Sequence, residues 1–173
     1  MVAHFKPTLT IFADASIYND KRVAGWGGWA RGDDRQPILL GGSAPWHKNS
    51  GVVEAHALSG MIHALRANGY FSDGDVSVLL QSDSLQALGV LNLALPNSWA
   101  SARGTGSHIG RAANVAPAFI EPVRAIQAAL APCAVVYLRH VKGHKGGGTA
   151  RSWANEQCDK RAKAEARAQI AGA

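Results

Sequence analysis

Four acidic residues stand where the surrounding sequence gives an acid little reason to be. Asp14 closes the β-prone run Thr8–Ala13, and Asp83 follows the apolar run Val76–Gln81. Strand interiors disfavour Asp, whereas a strand end tolerates it. Ligands of open α/β sheets bind beyond the carboxyl ends of strands, so two such acids can converge. Glu54 is in phase with Ala57, Leu58, Met61 and Leu65, at the head of a helical apolar stripe. Asp159 keeps the same phase with Ala162, Ala166 and Ile170. An acid turned toward a sheet needs a counter-charge, a metal or a proton. Each also has an ordinary reading: a turn or cap Asp, a first-turn Glu favoured by the helix dipole, an Asp paired with Lys160 or Lys163. Taken together, the four predict a carboxylate cluster stabilised by hard cations. Mg²⁺ suits oxygen ligands and keeps waters that leave room for phosphate. A pair of such ions about 3.5–4 Å apart is the arrangement used for water activation and leaving-oxygen stabilisation in phosphodiester cleavage.

His144 is the candidate proton carrier. It lies in Val141-Lys-Gly-His-Lys-Gly-Gly-Gly148, where glycine leaves it exposed and able to exchange a proton near neutral pH. His140 and His144 are four apart, but on strand and loop, where that spacing does not make a zinc site. His56 and His63 read as ordinary helix-face residues.

The elements that must position these groups follow from periodicity. Thr8–Ala13, Val23–Ala30 and Pro37–Leu40 read as three strands joined by tight turns, an antiparallel meander. A helical stripe runs from Glu54 to a stop at Gly69. Val76–Gln81 reads as a strand buried on both faces, and Ser82-Asp83-Ser84 as the cap of a short helix, Leu85–Leu95. Residues 96–117 show little periodicity. A helix over Ala118–Ala131, a fifth strand over Ala134–Leu138, a glycine-rich loop at 145–152 and a final helix from Ser152 to about Gln169 complete the chain. A meander followed by strand–helix crossovers implies a mixed five-stranded α/β sheet with helices on both faces.

Composition supports one globular domain across residues 1–173. Hydrophobic residues make up 47% and charged residues 17% of the chain. Two cysteines 25 residues apart form no disulfide framework, so a reducing, cytoplasmic setting is expected. Lys6 and Pro7 interrupt the N-terminus before a signal-like core, and no run is long enough to span a membrane. The net charge of +6 is uneven: residues 1–138 carry 10 basic and 9 acidic side chains, residues 139–173 carry 8 and 3. A basic C-terminal fifth suggests a polyanionic partner, with nucleic acid first.

The sequence resembles ribonuclease H of type 1 over nearly its whole length. The similar segments are Ile11-Phe-Ala-Asp14-Ala-Ser, Glu54-Ala-x-Ala-Leu, Leu80-Gln-Ser-Asp83-Ser, and Val141-Lys-Gly-His144 followed by Asn155-Glu-Gln-Cys-Asp159-Lys-x-Ala. The resemblance implies a ribonuclease H-like fold and an endonuclease acting on the RNA strand of RNA–DNA hybrids. It implies metal ligation by Asp14, Glu54, Asp83 and Asp159, two Mg²⁺ ions (Mn²⁺ as substitute), and His144 assisting product or proton departure. Substrate contact is implied for Ala15, Ser16, Asn49, Ser84 and Lys142. The stretch 95–116 sits where many members carry a basic handle, with Trp99, Arg103 and Arg111 as its candidate contacts. A monomer with no membrane partner is expected.

This chain departs from the family pattern in four places. Ala15 replaces the glycine usual after the first Asp. Only Asn49 remains of an Asn-rich stretch, one place further from the Glu. The loop between His144 and Asp159 is longer, and the handle is less basic. Substrate grip is then expected to shift toward Lys160, Arg161, Lys163 and Arg167. The alternatives are a related metal-dependent nuclease with another nucleic-acid substrate, or a catalytically silent hybrid-binding domain.

Overall fold

The computed structural model describes residues 7–71, 76–94, 100–101, 109–110, 112–133, 135–142 and 148–173. The meander is β1 (Leu9–Tyr18), β2 (Val23–Gly32) and β3 (Ile38–Ala44). Helix α1 (Ser50–Ala67), β4 (Ser77–Ser82) and α2 (Leu85–Ala94) follow. A two-residue strand β5 (Ala100–Ser101) precedes a 3₁₀ turn, α3 (Ile120–Leu130), β6 (Val135–His140) and α4 (Ala150–Ala171). The five expected strands form a mixed sheet in the order β3-β2-β1-β4-β6, and β5 adds two residues outside β6. No helix among the described residues is long and apolar enough to cross a membrane.

Helices α1, α2 and α3 cover one face. Leu58, Met61, Ile62 and Leu65 of α1 pack with Leu88, Leu91, Ile126 and Leu130 over Ile11, Leu80 and Leu138. Helix α4 covers part of the other face, where Ala154 and Cys158 meet Phe12 and Trp29. Its approach is set by small residues on both sides. A Cβ on Gly25 would stand 2.5 Å from the Ala162 carbonyl oxygen, and one on Gly27 would overlap the Cys158 carbonyl. Glycine at these positions, facing Cys158, Ala162 and Ala166, lets the α4 backbone lie almost on β2.

Several boundaries differ from expectation, with β3 running on to Ala44 and β6 to His140, and three others have a local reason. Strand β1 does not end at Ala13, because its antiparallel register with β2 runs unbroken from Leu9↔Gly32 to Tyr18↔Val23. Its parallel pairing with β4 stops at Phe12↔Gln81. Asp14 is therefore inside one ladder and just past the end of the other, where β1 and β4 part. Helix α1 starts at Ser50, since the Asn49 side chain caps it by accepting from Gly51 N–H at 2.9 Å. It stops as expected: Gly69 has φ +78°, and Gly69 and Tyr70 N–H donate to the Arg66 and Leu65 carbonyls. Residues 150–152 belong to α4 and not to the glycine-rich loop, because Thr149 Oγ1 accepts from Ser152 N–H at 3.2 Å.

Candidate active site

The parting of β1 and β4 opens a notch at the carboxyl end of β4. Asp14 enters it from β1, Asp83 from the turn after β4, and Glu54 from the second turn of α1. Glu54 is thus not a first-turn helix acid, and the dipole does not explain it. Carboxylate oxygens of Asp14, Glu54 and Asp83 lie within 4.8 Å of one another. Asp14 is 3% exposed and Glu54 9%. Among the described residues this is the one His/Cys/Asp/Glu group close enough to hold a metal ion.

Like charges this close, out of water, hold on to protons. The Asp14 carboxyl is pushed from an ordinary 3.8 up to about 7, by burial first and then by the charges of Asp83 and Asp159. Ala15 N–H, donating to Asp14 Oδ1 at 2.9 Å, opposes that rise. Glu54 is driven well above its usual range by burial and by Asp14 and Asp83. Its Oε2 is buried without a hydrogen-bond partner. An all-oxygen donor set with an orphaned buried carboxylate oxygen fits a hard divalent cation.

Asp159 stands outside this triad and acts on it through its charge. Its side chain is 18% exposed and accepts from Lys163 Nζ at 2.7 Å. Asp159 is thus ion-paired along α4, and its charge reaches Asp14. His140, singled out in the sequence only for its spacing to His144, has a different place. Its Nε2–H donates to the Asp83 carbonyl at 3.1 Å, tying the end of β6 to the Asp83 turn. Nothing in the spacing announces this, because the contact joins residues 57 apart. The turn is braced further by Val141 N–H to the Ser82 carbonyl and by Ser84 N–H to Ser82 Oγ.

The expected substrate contacts fall into three groups. Ala15 and Ser16 continue β1 beyond Asp14, and Asn49 caps α1 one turn before Glu54. Ser84 caps α2, accepting from Ala87 N–H, and Lys142 is exposed after β6. His144, Trp99, Arg103 and Arg111 lie outside the described residues. The basic face of α4 is largely engaged internally. Lys160 pairs with Glu156 and Arg161 with Glu165, each four residues apart, while Arg167 Nε–H donates to Tyr18 Oη. These cations offer a partner less charge than the sequence count implies.

Comparison with known proteins agrees with this fold. No curated protein gives a significant sequence match. Solved structures do match in fold. RNase H1 from the halophilic archaeon Halobacterium salinarum is 14% identical with a TM-score of 0.60, covering 91% of this chain and 96% of that one. The N-terminal RNase H domain of a Mycobacterium tuberculosis protein is 14% identical with a TM-score of 0.62, covering 95% and 99%. LC11-RNase H1, solved in complex with an RNA/DNA hybrid, is 15% identical with a TM-score of 0.62, covering 90% and 97%. The family model for RNase H matches residues 6–167, so the chain belongs to the RNase H family.

Proposed function

We propose that this protein is an endonuclease that hydrolyses the RNA strand of RNA–DNA hybrids with two divalent cations, Mg²⁺ or Mn²⁺ in its place. The observation that carries this reading is the convergence of Asp14, Glu54 and Asp83 within 4.8 Å, in a member of the RNase H family. A neighbour of the same fold was solved on an RNA/DNA hybrid, which supports the substrate class. Asp14, Glu54, Asp83 and Asp159 would hold the cations. When bound, these ions supply charge neutralisation at the scissile phosphate and an acidified water.

The chain's own residues do the rest. Ala15 N–H holds one oxygen of Asp14, and Lys163 holds one oxygen of Asp159. His140 and Val141 set the height of the Asp83 turn. His144 follows Lys142 on the next stretch of chain and serves as the proton carrier for product departure. Ala15, Ser16, Asn49, Ser84 and Lys142 line the approach and read hybrid width and 2′-hydroxyls, without much sequence preference. Trp99, Arg103 and Arg111 act from the 95–116 segment on the DNA strand. The enzyme works as a single ribonuclease H domain over residues 1–173, as a cytoplasmic monomer.

A labelled RNA–DNA hybrid, incubated with Mg²⁺ beside single-stranded RNA and duplex DNA, tests this. The expected result is cleavage of the hybrid's RNA strand alone, stopped by chelator. Cleavage of duplex DNA would move the activity to another nuclease class. Tight hybrid binding without cleavage in Mg²⁺ would make the domain catalytically silent.

A further inference from the structure

On the α4 side of the sheet, strand register places Trp29, Phe12, Gln81 and Arg139 in one row across β2, β1, β4 and β6. The row behind it begins with Arg31 on β2, opposite Thr10. Asp14 and Asp83 lie in the next row forward, each two residues further along its chain, about 7 Å at the rise of a strand. Helix α4 covers only the forward part of this face. Beyond its first turn a cavity of ≈ 320 Å³ remains, lined by Arg31, Arg139, Arg151 and Gln81 together with apolar surface that includes Phe12 and Trp29.

This cavity lacks what its walls call for. The ion pairs of the described residues involve Lys160, Arg161 and Lys163, so none of the three cavity arginines has a carboxylate partner among them. Gln81 is 1% exposed, yet its Oε1 has no hydrogen-bond partner. Arg139 Nε is likewise buried and unpartnered. The amide oxygen and nitrogen of Gln81 exchange by a half-turn, so the buried group can present N–H to an incoming anion. Burial and the Arg151 charge both work against the charge on Arg139, and the negative charge of a bound anion would offset them. Guanidinium forks at the mouth, a buried amide below and the start of a 22-residue helix at the rim are complementary to a compact tetrahedral oxyanion.

We propose that this cavity binds a phosphate group through Arg31, Arg139, Arg151 and the Gln81 amide, at a site separate from the carboxylate cluster. Two sources share that chemistry. One is a backbone phosphate of the nucleic acid engaged at the carboxylates, and this source alone rests on the function proposed above. The other is free phosphate or a mononucleotide.

The test titrates inorganic phosphate into the metal-free full chain by calorimetry, for wild type, Arg139→Gln, Arg151→Gln and Asp83→Asn. Hybrid cleavage kinetics with Mg²⁺ are measured for wild type and the two arginine variants. The expected result is at least tenfold weaker phosphate binding in both arginine variants and unchanged binding in Asp83→Asn. If the source is the backbone, the arginine variants also raise KM for hybrid more than they lower kcat, and phosphate competes with hybrid. If the source is free phosphate, KM stays put. Phosphate binding that survives both arginine substitutions overturns the site, as does binding lost in Asp83→Asn. Absence of binding in wild type together with an unmoved KM overturns it too. Should either variant fail to fold, Arg31→Gln at the exposed end of β2 carries the same comparison. A wild type that cuts no hybrid removes the proposed function and leaves the phosphate titration to stand on its own.

Discussion

The two ends of one sheet face hold opposite charges under opposite conditions. At the forward end Asp14, Glu54 and Asp83 crowd within 4.8 Å, and two of them are buried. One to two rows back, Arg139 and Arg31 join Arg151 of α4 in lining an open cavity. Neither group contains a side chain of opposite sign, yet only Asp14 and Glu54 are packed shut. The difference follows from proton chemistry. A carboxylate can take up a proton near neutral pH and become a neutral group that tolerates burial, as the rise of Asp14 to about 7 shows. A guanidinium cannot discharge itself in the accessible range, so its cluster needs solvent or an anion beside it. Acids can therefore be assembled before their cation, whereas the arginines keep a space open.

The strongest test of the acid end is removal of a ligand. Asp14→Asn or Asp83→Asn is expected to lower hybrid cleavage by at least about 10³-fold while far-UV circular dichroism is unchanged. Wild-type-like turnover in either variant would sink the assignment. Next in size is the response to metal. Mg²⁺ at roughly 100 times its Kd should stabilise the fold by about 2.7 kcal/mol, or about 5–10 °C in melting temperature for a domain of this size. Glu54→Gln should abolish most of that gain, and equal gains in both proteins would argue against a cation among the carboxylates.

The third test is pH. Asp14 is raised from 3.8 to about 7 in the folded state. The folded protein then binds more protons than the unfolded chain between those values, so this contribution to stability is full below about pH 4 and is lost as pH rises through 7. Metal-free protein should melt a few degrees higher at pH 5 than at pH 7.5 from this source, and Asp14→Asn should flatten the slope. An unchanged slope in the variant would place the pH response elsewhere. Removing His144 is expected to be milder: His144→Ala slows steady-state turnover by about 10-fold or more without abolishing it. An unaltered rate would exclude His144 from the mechanism. The smallest effect is Lys163→Ala. Its pair with Asp159 is four residues apart on a partly exposed helix, so the expected loss is only about 0.3–0.5 kcal/mol. A larger drop in cleavage than in stability would show that Lys163 positions Asp159.

Legibility varied along the chain for physical reasons. The apolar phase of α1 and the uninterrupted run of β4 made both elements readable, because burial on one face or two faces leaves a periodic mark. The four acids were readable because each broke such a pattern. The end of β1 was misplaced, since an acid in a strand reads as a terminus. What permits Asp14 there is the loss of the β4 partner combined with a glycine, Gly27, across the β2 ladder. The arginine cavity left no mark at all. Arg31, Arg139 and Arg151 lie on β2, β6 and α4, far apart in sequence, and each alone is an ordinary surface cation.

By itself, then, the sequence singled out the acids that converge in Asp14, Glu54 and Asp83 and the elements that carry them, because side-chain type and periodicity are local properties. Tertiary structure alone decided two further things. It set Asp159 apart from the Asp14–Glu54–Asp83 triad, through a helix laid on the glycines of β2. It also brought three arginines from β2, β6 and α4 around one uncovered part of the sheet. Both depend on strand register and helix placement, which bring together side chains that no sequence window contains.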